Sequence, residues 1–182
     1  SKSGGCSECH GENGMGTQPM TPNLAGQKAR YLSLQLRRLR NGERRTIKGD
    51  VPNAARIHKE LEAATAQLSD QDVGFLAAYY AKQSCKLLDQ SPITSPLPQM
   101  KGCVLCHDKN GRGRNLSIPN LAGQPWEYLA KQLYLFKATA NNEHFLDGTE
   151  FRAHPIMSEE ARKLSNGEIK ELAMYYAGLK CE

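Results

Sequence analysis

Two Cys-x-x-Cys-His pentapeptides, Cys6-Ser7-Glu8-Cys9-His10 and Cys103-Val104-Leu105-Cys106-His107, constrain this chain more than any other feature. Paired thiols followed directly by an imidazole form the attachment signature of a c-type haem. Each thiol makes a thioether to one porphyrin vinyl group, and the imidazole reaches the iron. A single Cys-x-x-Cys would also suit a thioredoxin-like redox pair or half a zinc site. Two copies 97 residues apart, each followed by His, leave those readings weak, because a four-sulfur zinc site does not need the added imidazoles. The expectation is two covalently attached c-type haems with their iron, held by Cys6, Cys9, Cys103 and Cys106 and ligated by His10 and His107.

The motifs belong to a longer duplication. A shift of 97 also superimposes Pro22-Asn23-Leu24-Ala25-Gly26-Gln27 on Pro119-Asn120-Leu121-Ala122-Gly123-Gln124, Tyr31 on Tyr128, and Gln35-Leu36 on Gln132-Leu133. Further on the offset becomes 96, pairing Leu68-Ser69-Asp70 with Leu164-Ser165-Asn166, Tyr79-Tyr80-Ala81 with Tyr175-Tyr176-Ala177, and Cys85 with Cys181. Between the halves, residues 89–98 carry three prolines and no helical periodicity, and so read as a linker. The expected division is an N-terminal domain over 1–88, the linker, and a C-terminal domain over 99–182.

Apolar residues recur at three- and four-residue spacing from about Lys28 to Asn41 and from Pro125 to Ala140, predicting a helix in each half. Ser69 with Asp72, and Ser165 with Glu168, have the spacing of a capping box at the start of a final helix that ends in the paired tyrosines. Those tyrosines read as core. No alternating pattern of useful length predicts a strand, so each half is expected to be all-helical and wrapped on its haem. Halves of about ninety residues bury limited apolar surface, and the apoprotein is expected to be poorly folded.

The formal charge of +5 is uneven, with 13 basic and 9 acidic residues through Gln90 and 11 basic and 10 acidic after it. Up to four haem propionates would bring the loaded protein near neutrality. That weakens any nucleic-acid reading, and no DNA-binding motif is present. Apolar runs such as 73–80 are too short to span a bilayer, so a soluble protein is expected. Haem attachment normally occurs on the oxidising side of a membrane and no signal peptide precedes Cys6. The sequence therefore reads as a processed form, with the bacterial periplasm as the expected compartment.

Together these residues resemble the class I c-type cytochromes, specifically the two-domain dihaem proteins of the cytochrome c4 type, over nearly the whole chain. The resemblance implies an all-α fold of two tandem class I cytochrome c domains, each wrapped around one covalent haem. It implies that Pro22 and Pro119, each twelve residues beyond its motif His, accept a hydrogen bond from that imidazole through their carbonyls. Such a bond would fix the tautomer and the ring orientation. It also implies a sixth ligand, usually Met, seven residues ahead of the final Leu-Ser cap; in the second half that residue is Met157. A thioether ligand would raise the reduction potential, and His154 is then a neighbour rather than a ligand.

The first half departs from this pattern. Leu61 stands at the equivalent position, and no Met occurs between Met20 and Met100. Three outcomes stay open for haem 1: His58 binds the iron, another side chain such as Met20, Met15 or Lys59 does, or the site stays vacant. His58 is favoured as the one non-motif His of its half, three residues from the vacant position. Against it, the 96-residue offset pairs His58 with His154 and Arg56 with Arg152, so duplication alone explains its presence.

Cys85 and Cys181 lie just beyond the last helix of each half, where a disulfide would clamp the domains if the helix ends meet. A free thiol, an intermolecular bridge or a thiolate ligand to haem 1 are the alternatives. Arg37, Arg38, Arg40, Arg44 and Arg45 form a basic run peculiar to the first half. It suits an acidic redox partner or peripheral contact with an anionic membrane, although a solvated helix face with some propionate pairing is the commoner explanation. The functional expectation is single-electron transfer between periplasmic or membrane redox partners, as a free carrier or as the cytochrome subunit of a larger enzyme complex. The alternative is a dihaem oxidoreductase, thiosulfate dehydrogenase-like or peroxidase-like, or a small-ligand sensor, with haem 1 as the reactive centre.

Overall fold

The computed structural model describes residues 4–42, 50, 52–86, 93, 95–143 and 150–181. Each half runs through one order of elements: a short helix ending at the motif His, a long helix, a four-residue strand, a short helix and a terminal helix. In the N-terminal half these are α1 (Gly4–His10), α2 (Ala29–Asn41), β1 (Ala55–His58), α3 (Lys59–Thr65) and α4 (Asp70–Ala81). In the C-terminal half a 3-10 turn at Pro98–Lys101 leads into α5 (Cys103–His107), then α6 (Trp126–Ala140), β2 (Glu150–Ala153), α7 (Pro155–Arg162) and α8 (Asn166–Ala177). Arg44 and Arg45, and half of the expected linker, lie outside the described residues.

Both long helices form where the apolar spacing predicts them. Leu32 and Leu39 of α2 are buried, and α2 packs on α4 while α6 packs on α7 and α8. The terminal helices begin with the expected capping boxes. Ser69 Oγ accepts from the Asp72 amide at 3.1 Å, and the Asp72 carboxylate accepts from the Ser69 amide at 2.9 Å. Ser165 and Glu168 repeat the exchange at 3.3 and 2.8 Å. Ser69→Ala or Ser165→Ala should each cost about 1 kcal/mol by orphaning a helix N-terminal amide, read as a lower melting temperature of the holoprotein by far-UV circular dichroism.

The strands correct the expectation that neither half contains sheet. β1 and β2 pair antiparallel with each other, placing Arg56 opposite Arg152 and His58 opposite Glu150. Four-residue segments carry too little alternation to be read as strands. Each finds its ladder partner in the copy from the other half, so this two-stranded sheet is a product of domain docking.

The cores of the halves differ. Met100, Leu129, Ile169, Leu172 and Tyr176 belong to one large C-terminal cluster, against which Ile93 and Leu97 also pack. The end of the proline-rich segment is therefore part of the C-terminal core. In the N-terminal half the corresponding cluster is Leu32, Ala77 and Tyr80, with Leu24 and Leu76 against it. The paired tyrosines are not all core: Tyr80, Tyr175 and Tyr176 are buried, but Tyr79 is 50% exposed, with its hydroxyl donating to the Glu12 carbonyl at 3.0 Å. Met100 is packed into the cluster that holds Tyr175, and among the described residues α4 has no counterpart to it.

Two candidate haem sites

A helical turn sets the spacing of each motif. Cys6 and Cys9 on α1, and Cys103 and Cys106 on α5, stand three residues apart and so share a helix face, with the imidazole on the next residue. None of the four takes part in a disulfide, which leaves each sulfur for a haem vinyl group. Burial raises the Cys6 and Cys103 thiols above their ordinary range, the neighbouring Cys9 and Glu160 adding to it respectively.

The same contact is made beside each motif His. His10 Nδ1 donates to the Pro22 carbonyl at 3.0 Å, and His107 Nδ1 donates to the Pro119 carbonyl at 3.2 Å. The bonds fix the tautomer, since a carbonyl only accepts, and leave Nε2 as the nitrogen available to iron. Burial, aided by nearby positive charge, pushes His10 down, and pushes His107 down to about 4. Both rings are thus held neutral, the form a metal requires.

The repeated Pro-Asn-Leu-Ala-Gly-Gln loops do more than carry the proline. Asn23 N donates to Gln124 Oε1 at 2.9 Å and Gln124 Nε2 to the Asn23 carbonyl at 2.7 Å. Asn120 N and Gln27 Oε1, and Gln27 Nε2 and the Asn120 carbonyl, repeat the exchange at 2.9 Å each. Each loop pairs with its own copy across the seam. Cys85 and Cys181 close the same seam in a disulfide with Cα atoms 6.0 Å apart, within the separation such a bridge allows. Gly26 and Gly123, both at positive φ, lie beneath it; a Cβ on Gly123 would stand 2.9 Å from Cys181 Sγ.

The positions expected on the distal sides differ. Met157 lies half-buried in the first turn of α7, its amide donating to His154 Nδ1 at 3.4 Å, so His154 serves as the helix cap. Leu61 occupies the equivalent place in α3. His58 precedes α3 without capping it. Its Nε2 lies 3.4 Å from Glu150 Oε1, and its Nδ1 is buried with no hydrogen-bond partner. Met15 and Met20 sit on the loop that folds back on Cys9, with Thr17 N donating to the Cys9 carbonyl at 3.0 Å, and that delivers Pro22 to His10. That loop flanks the proximal side. Lys59 is exposed.

Buried cationic groups complete the seam. Arg152 donates to Tyr31 Oη of the other half at 2.8 Å and, through Nη1, to Gln132, while its Nε is buried without a partner. Arg56 is bonded to Gln35 at 3.0 Å. Among the described residues neither guanidinium has a carboxylate partner. Of the basic run, Arg38 is buried against Asp50, and Arg40 bonds the Leu68 carbonyl and Asp70 at 2.8 and 2.7 Å. Among the described residues of the run, Arg38 and Arg40 are thus engaged within their own domain.

These sites fit a haem. The donor set is two thiols and one neutral imidazole apiece, the N-terminal core is thin where a porphyrin would complete it, and an orphaned guanidinium nitrogen lies in the seam. Among the described residues there is no cluster of three or more His, Cys, Asp or Glu that could hold a bare metal ion. No described helix is long and apolar enough to cross a membrane. Fold and site together define a protein built from two c-type haem domains in tandem.

The comparisons agree. The cytochrome c family profile matches residues 3–83 and 97–180. Cytochrome c4 of Azotobacter vinelandii is 33% identical, over 96% of this chain and 84% of its own length. The crystal structure of reduced recombinant cytochrome c4 from Pseudomonas stutzeri superposes with a TM-score of 0.73 at 31% identity, covering 98% of this chain and 95% of that one. A thiosulfate dehydrogenase electron acceptor of Stutzerimonas stutzeri (strain A1501) is 29% identical over 96% of this chain and 78% of its own length. The chain belongs to the cytochrome c family, in the two-domain form of the cytochromes c4. It carries two covalent c-type haems and functions in dihaem electron transfer.

Sequence reasoning missed the reciprocal Asn–Gln pairing, the interdomain strands and the Arg–Tyr contact. Identical Asn and Gln positions in both copies were the available signal for the first.

Proposed function

We propose that this chain is a periplasmic dihaem carrier with unlike haems. Cys103 and Cys106 would hold haem 2, with His107 and Met157 supplying its iron ligands; Cys6 and Cys9 would hold haem 1, with His10 and His58 supplying its iron ligands. The domains divide at residues 1–88 and 99–182. Bound haem supplies reversible one-electron iron chemistry. The protein orients each proximal imidazole through a proline carbonyl, presents Met157 from a capped helix turn, and sets buried Arg56 and Arg152 where haem propionates would supply the missing carboxylates.

The observation that carries the reading is equivalence on the proximal side against inequality on the distal side, where Leu61 replaces Met and His58 keeps a buried, unpartnered Nδ1. Nitrogen ligation would lower haem 1 relative to a His/Met haem 2, so electrons would run from haem 1 to haem 2. The disulfide and the covalent haems both favour an oxidising compartment. Leu105, 68% exposed between two haem cysteines, and Ile156, 57% exposed beside Met157, support docking of a redox partner at haem 2.

The second reading, an oxidoreductase or ligand sensor with reactive haem 1, is favoured by Leu61. A relative named as an electron acceptor for thiosulfate dehydrogenase favours the carrier over the enzyme. Carbon monoxide separates the two. The reduced wild-type holoprotein should stay low-spin at both haems on mixing, and His58→Ala should open haem 1 to the gas. A prompt adduct with wild type would sink the pure-carrier reading, and an unchanged haem 1 in the variant would remove His58 as ligand.

A further inference from the structure

We infer that Lys28, on the N-terminal domain, is a positioning residue for haem 2: its ammonium closes the proximal loop of the other domain and places there a positive charge that haem 1 does not receive. The inference rests on the dihaem reading above and concerns how the two haems are made unequal.

The contacts are specific. Lys28 Nζ donates to the carbonyls of Gly113 and Asn115 at 2.5 and 2.7 Å, and Arg30 Nε donates to Ser117 Oγ at 2.8 Å. This loop is hung on the second motif at both ends. Gly113 N donates to the His107 carbonyl at 2.9 Å and Arg114 N to the Cys106 carbonyl at 2.8 Å, and the loop then supplies the Pro119 carbonyl to His107 Nδ1. A cation from one domain therefore grips the strap that orients the iron-binding imidazole of the other.

The repeat shows that the arrangement is one-sided. The 97-residue offset pairs Lys28 with Pro125 and Arg30 with Glu127, neither of which can reciprocate. The corresponding loop of the N-terminal domain is closed from within, by Thr17, whose hydroxyl donates to the Cys9 carbonyl at 2.9 Å. Among the described residues no Lys or Arg of the C-terminal domain bonds that loop.

A fixed positive charge disfavours the ferric state, which carries one more positive charge than the ferrous, and so raises the potential of the haem beside it. Lys28 is only partly buried and its bond to Asn115 is exposed, so added salt should weaken this effect. Lys28 thereby adds to the difference that Met157 and Leu61 begin, and makes it depend on the domains being docked.

The test is a redox titration of the dihaem holoprotein, with each haem followed by the NMR signals of its own methyl groups. Lys28→Gln and the isosteric Lys28→Met should lower the potential of haem 2, leave haem 1 in place, and narrow the gap between them; Lys28→Arg should restore it. An unchanged haem 2, an equal shift at both haems, or no rescue by Arg would overturn the inference. Should the neutral variants not accumulate, nitrogen-15 labelling of lysine in the unaltered holoprotein gives a second reading. The Lys28 ammonium protons should exchange slowly with solvent, and exchange as fast as at exposed lysines would count against the clamp. Haem content, measured on the same samples, keeps the outcomes apart. Fewer than two haems would indict the dihaem reading, whereas two haems with no effect of Lys28 would indict this inference alone.

Discussion

Met157→Ala should strip haem 2 of its sulfur ligand and leave haem 1 untouched. Met157 sits in the first turn of α7, a helix whose start is fixed by the bond from the Met157 amide to His154. Truncation removes the thioether while the backbone that presents it stays in place, so the change at the metal should be local. Loss of a thioether ligand should lower the potential of haem 2 by on the order of 0.1 V or more, since axial ligation is a dominant control of haem potential. The sulfur-to-iron charge-transfer band of the oxidised protein should vanish, and reduced haem 2 should bind carbon monoxide. Leu61→Ala, at the equivalent place in α3, should leave both potentials nearly unchanged. A Met157→Ala protein that kept its sulfur band would show that another residue ligates haem 2.

Removing the interdomain bridge should have the largest effect on stability. Cys85 and Cys181 are 96 residues apart in sequence, and closing a loop of that length constrains the unfolded chain by about 4–5 kcal/mol in the entropic account. The bridge also lies over Gly26 and Gly123, next to the loops that exchange Asn and Gln hydrogen bonds. The Cys85→Ser, Cys181→Ser double variant should therefore unfold at lower denaturant concentration and in two steps, the thin-cored N-terminal domain first. Far-UV circular dichroism of the oxidised holoprotein measures this, with absorbance of each haem reporting its own domain. Identical curves for variant and wild type would mean that the bridge contributes nothing to docking.

Much of this molecule was legible in the order of its residues because the haem demands residue types at fixed spacing. Cys6, Cys9 and His10, with Pro22 twelve residues on, define a proximal site without knowledge of the fold, and the repeat at Cys103 states it twice. The long helices and both capping boxes were legible for the same reason, being set by local periodicity and by pairs three residues apart. Beyond the Cys85–Cys181 bridge, which the repeat suggested, sequence could not show what the two copies do to each other. β1 and β2 are each too short to read as strands and exist because they meet. Asn23 with Gln124 bridges positions 101 residues apart, and Lys28 finds its partners in a loop of the other domain. Tyr79 reads as core by repeat and lies exposed because the packing around Tyr175 has no described counterpart at α4. At the place where the resemblance implies a sixth ligand for haem 1 the sequence offers Leu61 instead of Met, and the structure adds that the His58 side chain, unlike that of His154, makes no cap bond to its helix.

The inequality of the two haems is tested most directly by near-infrared magnetic circular dichroism of the fully oxidised holoprotein, scaled to its haem content. The account predicts one sulfur-to-iron band per chain, from Met157 at haem 2, and one band of bis-nitrogen type from haem 1. Two sulfur bands, none, or a high-spin signal in place of the bis-nitrogen band would contradict it.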